Sequence, residues 1–234
     1  MSEKPILFNT AMVQAILAGD KTCTRRVIKN KYSNAEIEWF ENKYGRRLVY
    51  MQNDSPADII HEDGSRSCHL KACEEIKAPY KVGDILYVRE TFANIWTPNG
   101  DEGFVYKADG EPPKFPYWGN AKQCKDKVWI PSIHMPKEAA RIWLKVTDVR
   151  AERIHDITDE ECYKEGIGDT DFYNQAEHTQ IAGIGLNDSL ERAAFALLWN
   201  STLKRSDFDL SWNKNPWVWV IEFEKVNNYG QAGK

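Results

Sequence analysis

The residues best suited to chemistry lie close to the start of the chain, in the segment AGDKTCTRR at residues 18–26. Thr24 could act as a nucleophile if a base removed its hydroxyl proton. Lys21 could be that base if burial, or a cation such as Arg25, favoured its neutral form. The same residue types also occur in solvated turns and at edges that bind phosphate. The segment alone therefore leaves three interpretations open.

The elements around this segment decide whether Lys21 and Thr24 can meet. An apolar stripe over residues 10–18 predicts a helix, which Thr10 could cap and which Gly19 is placed to end. The chain then becomes extended from Thr22 to Ile28. In a regular strand, residues 21 and 24 point to opposite faces. Their side chains converge only if Lys21 still belongs to the turn after Gly19.

Further elements are predicted along the chain. Alternation of apolar residues indicates strands in YKVGDILYVRETF (80–92), around 104–107, in RIWLKVTDVRAERI (141–154) and in NPWVWVIEFEKV (215–226). Thr158 with Glu161 predicts a capping box that begins a helix stopped by Gly166, and Asp188 with Glu191 predicts the start of another. Residues 29–79 are read as a long polar insertion, and a glycine-rich loop is expected before Asn187. Scattered strands with few short helices favour the α+β class, as a small mixed β-barrel.

Composition limits the kind of partner. The chain has 234 residues and a net charge of -4, which argues against coating duplex nucleic acid through bulk charge. A local basic site is still available at Lys21, Arg25 and Arg26. No apolar run is long enough to span a bilayer, and the start MSEKPILFNT does not resemble a secretory signal. We therefore expect a cytoplasmic protein with no membrane contact.

The cysteines give little support to a metal site. All five are expected to be free thiols. Cys68 and Cys73 lie near His61 and His69, but the C-x4-C spacing is outside the usual zinc knuckle and no second pair follows. No metal and no organic cofactor are predicted.

Four segments resemble the ASCH domain, a branch of the PUA-like β-barrel superfold in a form often encoded in phages and prophages. They are LAGDKTCTRR, YKVGDILYVRE, WIPSIHMPKEAARIWLKVTDVRAERIHDIT and NPWVWVIEFEKV. They span the chain from the first helix to the last strand. The resemblance implies a single domain over residues 1–228, with insertions at about 29–79, 94–127 and 168–187 and a flexible tail at 229–234.

The resemblance implies two kinds of function. Some small bacterial ASCH proteins are amidohydrolases that remove the acetyl group from N4-acetylcytidine, using a lysine and a threonine of a G-x-K-T-x-T motif and a distant glutamate. These positions fall on Lys21, Thr24 and Glu165 here. We expect Thr24 to be the nucleophile, Lys21 the base and Glu165 the acid. Most other PUA-like proteins bind RNA, so a non-enzymatic module for RNA, single-stranded nucleic acid or a modified base is the alternative, and a ribonuclease is a weaker one.

Other residues could line the same pocket. Arg89 and Glu90 follow a predicted core strand and could instead form a cross-strand ion pair, and His134 could orient a ligand or be structural. Tryptophans 96, 118 and 129 could stack on a base. The candidate substrate-binding residues are Thr22, Arg25, Arg26, Arg89, Glu90 and His134. The oligomeric state is left open.

Overall fold

The computed structural model describes residues 2–32, 35–43, 45–52, 59–60, 66–67, 73–96, 102–110, 129–168, 171–178 and 189–227, and every structural statement below concerns these residues. They form a mixed α+β fold with several sheets and few helices, which confirms the α+β part of the predicted fold class. No helix in this part of the chain is long and apolar enough to cross a membrane.

The elements are defined as follows. The strands are β1 (Glu3–Leu7), β2 (Cys23–Val27), β3 (Ala35–Asn42), β4 (Gly45–Gln52), β5 (Ile59–Ile60), β6 (Arg66–Ser67), β7 (Cys73–Glu75), β8 (Ile85–Arg89), β9 (Phe92–Trp96), β10 (Glu102–Tyr106), β11 (Trp143–Arg153) and β12 (Trp217–Lys225). The α-helices are α1 (Thr10–Ala18), α2 (Asp159–Lys164), α3 (Asp171–His178) and α4 (Leu190–Thr202).

The central sheet has five strands in the order β1-β8-β11-β12-β2. β1 runs parallel to β8, and the other neighbours are antiparallel. β12 pairs with β2 from Val218 opposite Val27 to Glu222 opposite Cys23. The segment that carries the predicted chemistry is therefore an edge strand held in register by β12.

Helices cover both faces of this sheet. Alternation along β12 sends Val218 and Val220 to a core shared with α2 and α4, which we call the α4 face. It sends Ile221 and Phe223 to a core shared with α1, which we call the α1 face. Burial on both faces explains the almost continuous apolar sequence of β12. The four matching strand predictions and the helix at 10–18 are confirmed.

The helix ends differ from the predictions in detail. The side chain that caps α1 is Asn9, which accepts a hydrogen bond from the amide of Met12 at 2.9 Å, and not Thr10. The capping box of Thr158 and Glu161 is confirmed at the start of α2. α4 is capped by Ser189, while the predicted cap, Asp188, lies outside the described residues. A helix begins where a side-chain oxygen accepts a hydrogen bond from a free amide of the first turn. Neighbouring polar residues each carry such an oxygen, so the sequence does not decide between them.

Two segments contain more structure than the sequence predicts, which is a polar insertion with short local structure at 29–79 and a glycine-rich loop within 168–187. Within 29–79, strands β3, β4 and β7 form a three-stranded sheet, and Leu48 and Ile76 pack with Ile28 into a small core against the central sheet. Within 168–187, the expectation of a glycine-rich loop is wrong for α3. Its Phe172 and Tyr173 pack against the core of the α4 face, and this tertiary packing stabilises a polar helix whose sequence signal is weak.

Candidate functional site

Lys21 lies in the turn that follows α1. Gly19 adopts a left-handed φ of 93°, which lets the chain fold back under the helix end. The amides of Asp20 and Lys21 then both donate to the carbonyl oxygen of Ala15, at 2.9 and 3.1 Å. Because β2 begins only at Cys23, Lys21 stands outside the strand. This is the placement that convergence of Lys21 with Thr24 requires.

Glu165 lies at the end of α2, as its C-terminal cap residue. An isolated antiparallel bridge pairs it with Lys21, and the amide of Thr22 donates to the carbonyl oxygen of Lys164 at 2.9 Å. The chain then leaves through Gly166, whose φ is 82°. A Cβ at this glycine would lie 2.9 Å from the Cβ of Ala15, so only glycine fits between α1 and α2. Backbone contacts thus fix the approach of the two segments.

The side chains of Lys21 and Glu165 form a buried ion pair. Lys21 Nζ lies 2.6 Å from Glu165 Oε2, and it also donates to the backbone carbonyl oxygen of Glu165 at 2.9 Å. The exposed fractions of the two side chains are 0% and 5%. The amine thereby satisfies a carbonyl at the negative end of α2, where a cation is favourable. Two residues separated by 144 positions, which the resemblance pairs, therefore meet in the structure.

Buried polarity is concentrated at this pair. Six polar or charged residues in the described part of the chain are buried, and four of them belong to the site: Lys21, Thr24, Arg25 and Glu165. Burying such groups is costly unless each finds a partner, so proteins rarely gather them without a use. This concentration marks the region as the leading candidate for a functional site.

Thr24 lies on the α1 face of β2. Its partner across the strands is Ile221, which belongs to the core of that face, and Thr24 is 2% exposed. The ring centre of Phe8 lies 5.9 Å from Lys21 Nζ and 5.2 Å from Cζ of Arg26, the next residue after Thr24 on this face. Thr24 and Phe8, the ring over which the amine of Lys21 lies, are thus on one side of the sheet. Among the described residues, however, no hydrogen bond joins Thr24 to Lys21 or Glu165.

Arg25 points to the opposite face and is held by three carboxylates. Its guanidinium lies 2.6 Å from Glu152, 2.7 Å from Glu161 and 3.3 Å from Glu165. Burial alone would lower the pKa of Arg25, but the charges of Glu165 and Glu152 outweigh it and hold that pKa above its ordinary value. Arg25 is a permanent cation that contacts Glu165 and not Lys21. Glu165 thus contacts two cations, Lys21 and Arg25.

The cysteines near the site are protonated thiols. Cys23 lies in the core of the α4 face, where burial, reinforced by Glu165, raises the pKa of its thiol. Burial likewise raises the pKa of Cys162 to about 12. A thiol is a nucleophile only as its thiolate. The state of Cys23 therefore does not favour it as a nucleophile.

Arg26 separates two cavities on the α1 face. The first, the α1 cavity, has a volume of about 320 Å³ and includes Phe8, Asn9 and Ser132 in its walls. The second, the β2 cleft, has a volume of about 470 Å³. Arg26 lines both. Because Phe8 contacts Lys21, the α1 cavity approaches the ion pair.

The remaining predicted binding residues are distributed as follows. Glu90 is 1% exposed and forms its ion pair with Arg141, at 2.8 Å, and not with Arg89. Burial raises the pKa of Glu90 although Arg141 opposes this. Arg89 donates to the carbonyl oxygen of Ile133, and so supports the segment that forms one wall of the α1 cavity. His134 is exposed beside that wall.

Thr22 and the tryptophans add little to the site. The side chain of Thr22 is exposed, and its carbonyl oxygen accepts a hydrogen bond from Phe223, so its contacts are structural. Trp129 is half-buried. Trp118 and the side chain of Trp96 lie outside the described residues, so their stacking role stays a prediction.

The sequence does not predict a metal site at the cysteines and histidines of residues 61–73. Cys68, His61, His69 and the side chain of Cys73 lie outside the described residues. Among the side chains that are described, no group of three histidine, cysteine, aspartate or glutamate residues could hold a metal ion.

Sequence reasoning missed three contributors to the site. Glu152 and Glu161 hold Arg25, yet Glu161 stood out only as part of a capping box. Phe8 links the amine of Lys21 to the α1 cavity, and it had no sequence signal at all. Alternation along β11 could have placed Glu152 on the same face as Arg25, but only once the pairing of the strands was known.

Comparisons of the chain with family models, with curated proteins and with solved structures found no match.

Proposed function

We propose that this chain is an ASCH-type protein, that its central sheet belongs to a PUA-like barrel, and that it hydrolyses an N4-acyl group from cytidine. The observation that carries the proposal is the buried contact of 2.6 Å between Lys21 Nζ and Glu165 Oε2. It joins two residues to which the resemblance assigns catalysis, just before an edge strand that carries a buried threonine. No metal or organic cofactor is part of the proposal.

The ion pair supplies a route for the first proton. A proton moves from the ammonium of Lys21 to the carboxylate of Glu165 along their hydrogen bond, which leaves a neutral amine beside a neutral carboxylic acid. The amine of Lys21 then takes the proton of the Thr24 hydroxyl.

The Thr24 oxygen next attacks the acyl carbon. A carbon–oxygen bond forms, and the electron pair of the carbonyl moves onto its oxygen. When this pair returns, the bond between the acyl carbon and N4 breaks, and N4 takes the proton from Lys21. Cytidine leaves, and Thr24 carries the acyl group as an ester. Glu165 then returns its proton to the amine of Lys21. Glu165 therefore acts as the acid indirectly, because Lys21 is the group that protonates N4.

Water completes the reaction. A water molecule gives one proton to the pair while its oxygen attacks the ester carbon. The bond between that carbon and the Thr24 oxygen then breaks, the pair returns its proton to this oxygen, and the acyl group leaves as the carboxylic acid. The sum is one amide and one water converted into one amine and one carboxylic acid. Arg25 contributes by positioning Glu165 throughout, because it holds the second carboxylate oxygen at 3.3 Å.

The substrate would enter through the α1 cavity. This cavity is of the right order for a pyrimidine ring, at about 320 Å³, and Phe8 forms its boundary toward Lys21. The ring of Phe8 is 2% exposed and the Lys21 side chain is fully covered. Access to the pair therefore requires Phe8 to move when substrate binds.

One observation favours the non-enzymatic alternative. The Lys21 side chain makes two hydrogen bonds to Glu165 and has no exposed surface, as expected for a purely structural cap of α2. In that case the α1 cavity would hold a modified base without chemistry. The two functions differ in whether cytidine is released.

Incubation with N4-acetylcytidine tests the proposal. We expect the wild type to release cytidine and acetate in equal amounts. A double variant, Lys21→Met with Glu165→Met, removes both charges together and so leaves no lone buried ion. We expect it to fold and to be inactive. Saturable binding by the wild type without any cytidine release would instead identify the binding module.

A further inference from the structure

The β2 cleft is basic although the chain is acidic. Its described walls include the cations Arg26, Lys29 and Lys77, and no aspartate or glutamate. Aromatic surface is supplied by Tyr50, Tyr80 and Trp219. In a chain with a net charge of -4, three cations beside three aromatic rings form a local site for a negatively charged aromatic ligand.

The cations of this cleft form few ion pairs with carboxylates. Among the described residues, neither Arg26 nor Lys77 has an ion pair, and Lys29 has only a long contact of 4.0 Å with Asp207, which lies outside the cleft wall. The contrast with Arg25, the preceding residue, is direct, because Arg25 is held by three carboxylates. Consecutive arginines on opposite faces thus have opposite surroundings.

Arg26 is the anchor of the cleft. Its guanidinium donates to the carbonyl oxygen of Leu7 at 2.6 Å and lies over the ring of Phe8, which fixes its orientation. The other donors of the guanidinium remain available within the described part of the chain. Burial lowers the pKa of Arg26, as expected for a cation withdrawn from water without a carboxylate. An incoming anion would remove this penalty.

The cleft adjoins the proposed active site. Leu7 and Arg26 line both the β2 cleft and the α1 cavity. A ligand with its base in the α1 cavity, beside Phe8, would therefore place its next group at Arg26. In a nucleotide, the ribose follows the base and carries the phosphate. Arginine recognises phosphate through paired hydrogen bonds.

We propose that the β2 cleft binds a phosphate attached to the cytidine, so that the ligand of this protein is a nucleotide unit and not the free nucleoside. This rests on the proposed function for the position of the base. The phosphate can belong to a mononucleotide or to a single strand, since both present the same group to Arg26.

Binding of unacetylated ligands tests this inference without requiring any turnover. Affinities for cytidine, cytidine 5′-monophosphate and a short single-stranded oligocytidylate are measured by calorimetry at low salt. We expect the monophosphate to bind about tenfold more tightly than cytidine, as one charge-assisted contact contributes. A further gain for the oligonucleotide assigns the phosphate to a strand, and equal affinity assigns it to a mononucleotide.

Variants locate the effect. Arg26→Gln should abolish the preference for the monophosphate over cytidine, and Arg26→Lys should keep part of it, because the charge remains but the paired donors are lost. Lys77→Gln changes an exposed residue, so it should weaken the preference without affecting folding. The matched control is Lys145→Gln, an exposed lysine outside both cavities, which should leave the preference unchanged.

Three results would overturn the inference: equal affinity of the wild type for cytidine and its monophosphate, binding of neither, or a preference that survives in both Arg26→Gln and Lys77→Gln. These results are separable from failure of the proposed function. Equal affinities together with hydrolysis of N4-acetylcytidine would reject the phosphate site alone. A preference that depends on Arg26, without hydrolysis, would reject the hydrolase alone.

Discussion

At the scale of single residues, Lys21 performs a structural task whether or not it is catalytic. Its amine caps the end of α2 and neutralises Glu165 in a site with no exposed lysine surface. Glu165 has a second cation in Arg25, whereas Lys21 has its described ionic contact with Glu165 alone. The pair is therefore asymmetric, and each half should respond differently to removal.

Single and double substitutions measure this coupling. Glu165→Met leaves Lys21 without its described ionic partner, and we expect it to lower the free energy of unfolding by about 3–5 kcal/mol. Lys21→Met leaves Arg25 beside Glu165, so it should cost less, about 1–3 kcal/mol. Adding Lys21→Met to Glu165→Met should recover much of the larger loss, because two apolar side chains replace two charges and Arg25 keeps two other carboxylates. Urea unfolding of the four proteins gives the coupling free energy. Additive effects of the two substitutions would show that the pair is not the interaction described here.

At the scale of the elements, the sequence predicted what depends on local patterns. α1, β8, β11, α2 and β12 follow from periodicity, capping residues and the glycines after them. Local patterns did not predict the sheet of β3, β4 and β7 or the helix α3. Their stability comes from packing against the rest of the molecule. The side chains that cap α1 and α4 were each misplaced by one residue, because neighbouring polar residues can cap equally well.

The contact between α1 and α2 is tested at Gly166. Its φ of 82° and the space beside Ala15 and Lys21 both exclude a side chain, because a Cβ would lie 2.9 Å from one residue and 3.3 Å from the other. We expect Gly166→Ala to lower the free energy of unfolding by about 2–4 kcal/mol. Gly168→Ala is the matched control, since a Cβ there meets no atom within 4 Å. Equal effects of the two substitutions on urea unfolding would contradict the close approach.

At the scale of the whole molecule, the site is assembled from parts that are distant in sequence. The resemblance named Lys21, Thr24 and Glu165, and the residues alone could not have joined positions that are 144 apart. Alternation along β2 separates Arg25 from Arg26, but which of the two meets the carboxylates depends on the register of β2 with β12. That register is a property of the assembled sheet, which local patterns do not specify.

The attachment of β1 to β8 links stability to pH through Asp84. Burial would raise the pKa of Asp84, but hydrogen bonds from Lys4, Ser2 and the amide of Lys81 outweigh it and hold that pKa well below its usual range. A depressed pKa stabilises the fold at pH values above the ordinary aspartate pKa. That contribution is lost as the pH falls toward the lower value in the folded protein.

We therefore expect Asp84→Asn to be less stable than the wild type at neutral pH, by about 1–3 kcal/mol. The difference should shrink steadily below about pH 4, where the unfolded aspartate becomes protonated. Thermal or urea unfolding across this pH range measures it. A difference between the two proteins that stays constant with pH would show that Asp84 contributes through packing and not through its charge.

We propose Thr24 as the nucleophile of a hydrolase built on the Lys21–Glu165 pair. Cytidine release from N4-acetylcytidine, compared between the wild type, Thr24→Val and Thr24→Ser, tests it most directly. Valine keeps the shape of threonine and leaves the ion pair intact, and serine keeps the hydroxyl. We predict release by the wild type, partial release by Thr24→Ser and a loss of at least about 10²-fold in Thr24→Val, all three being folded. Release by Thr24→Val at the rate of the wild type, or no release by the wild type, would contradict the account.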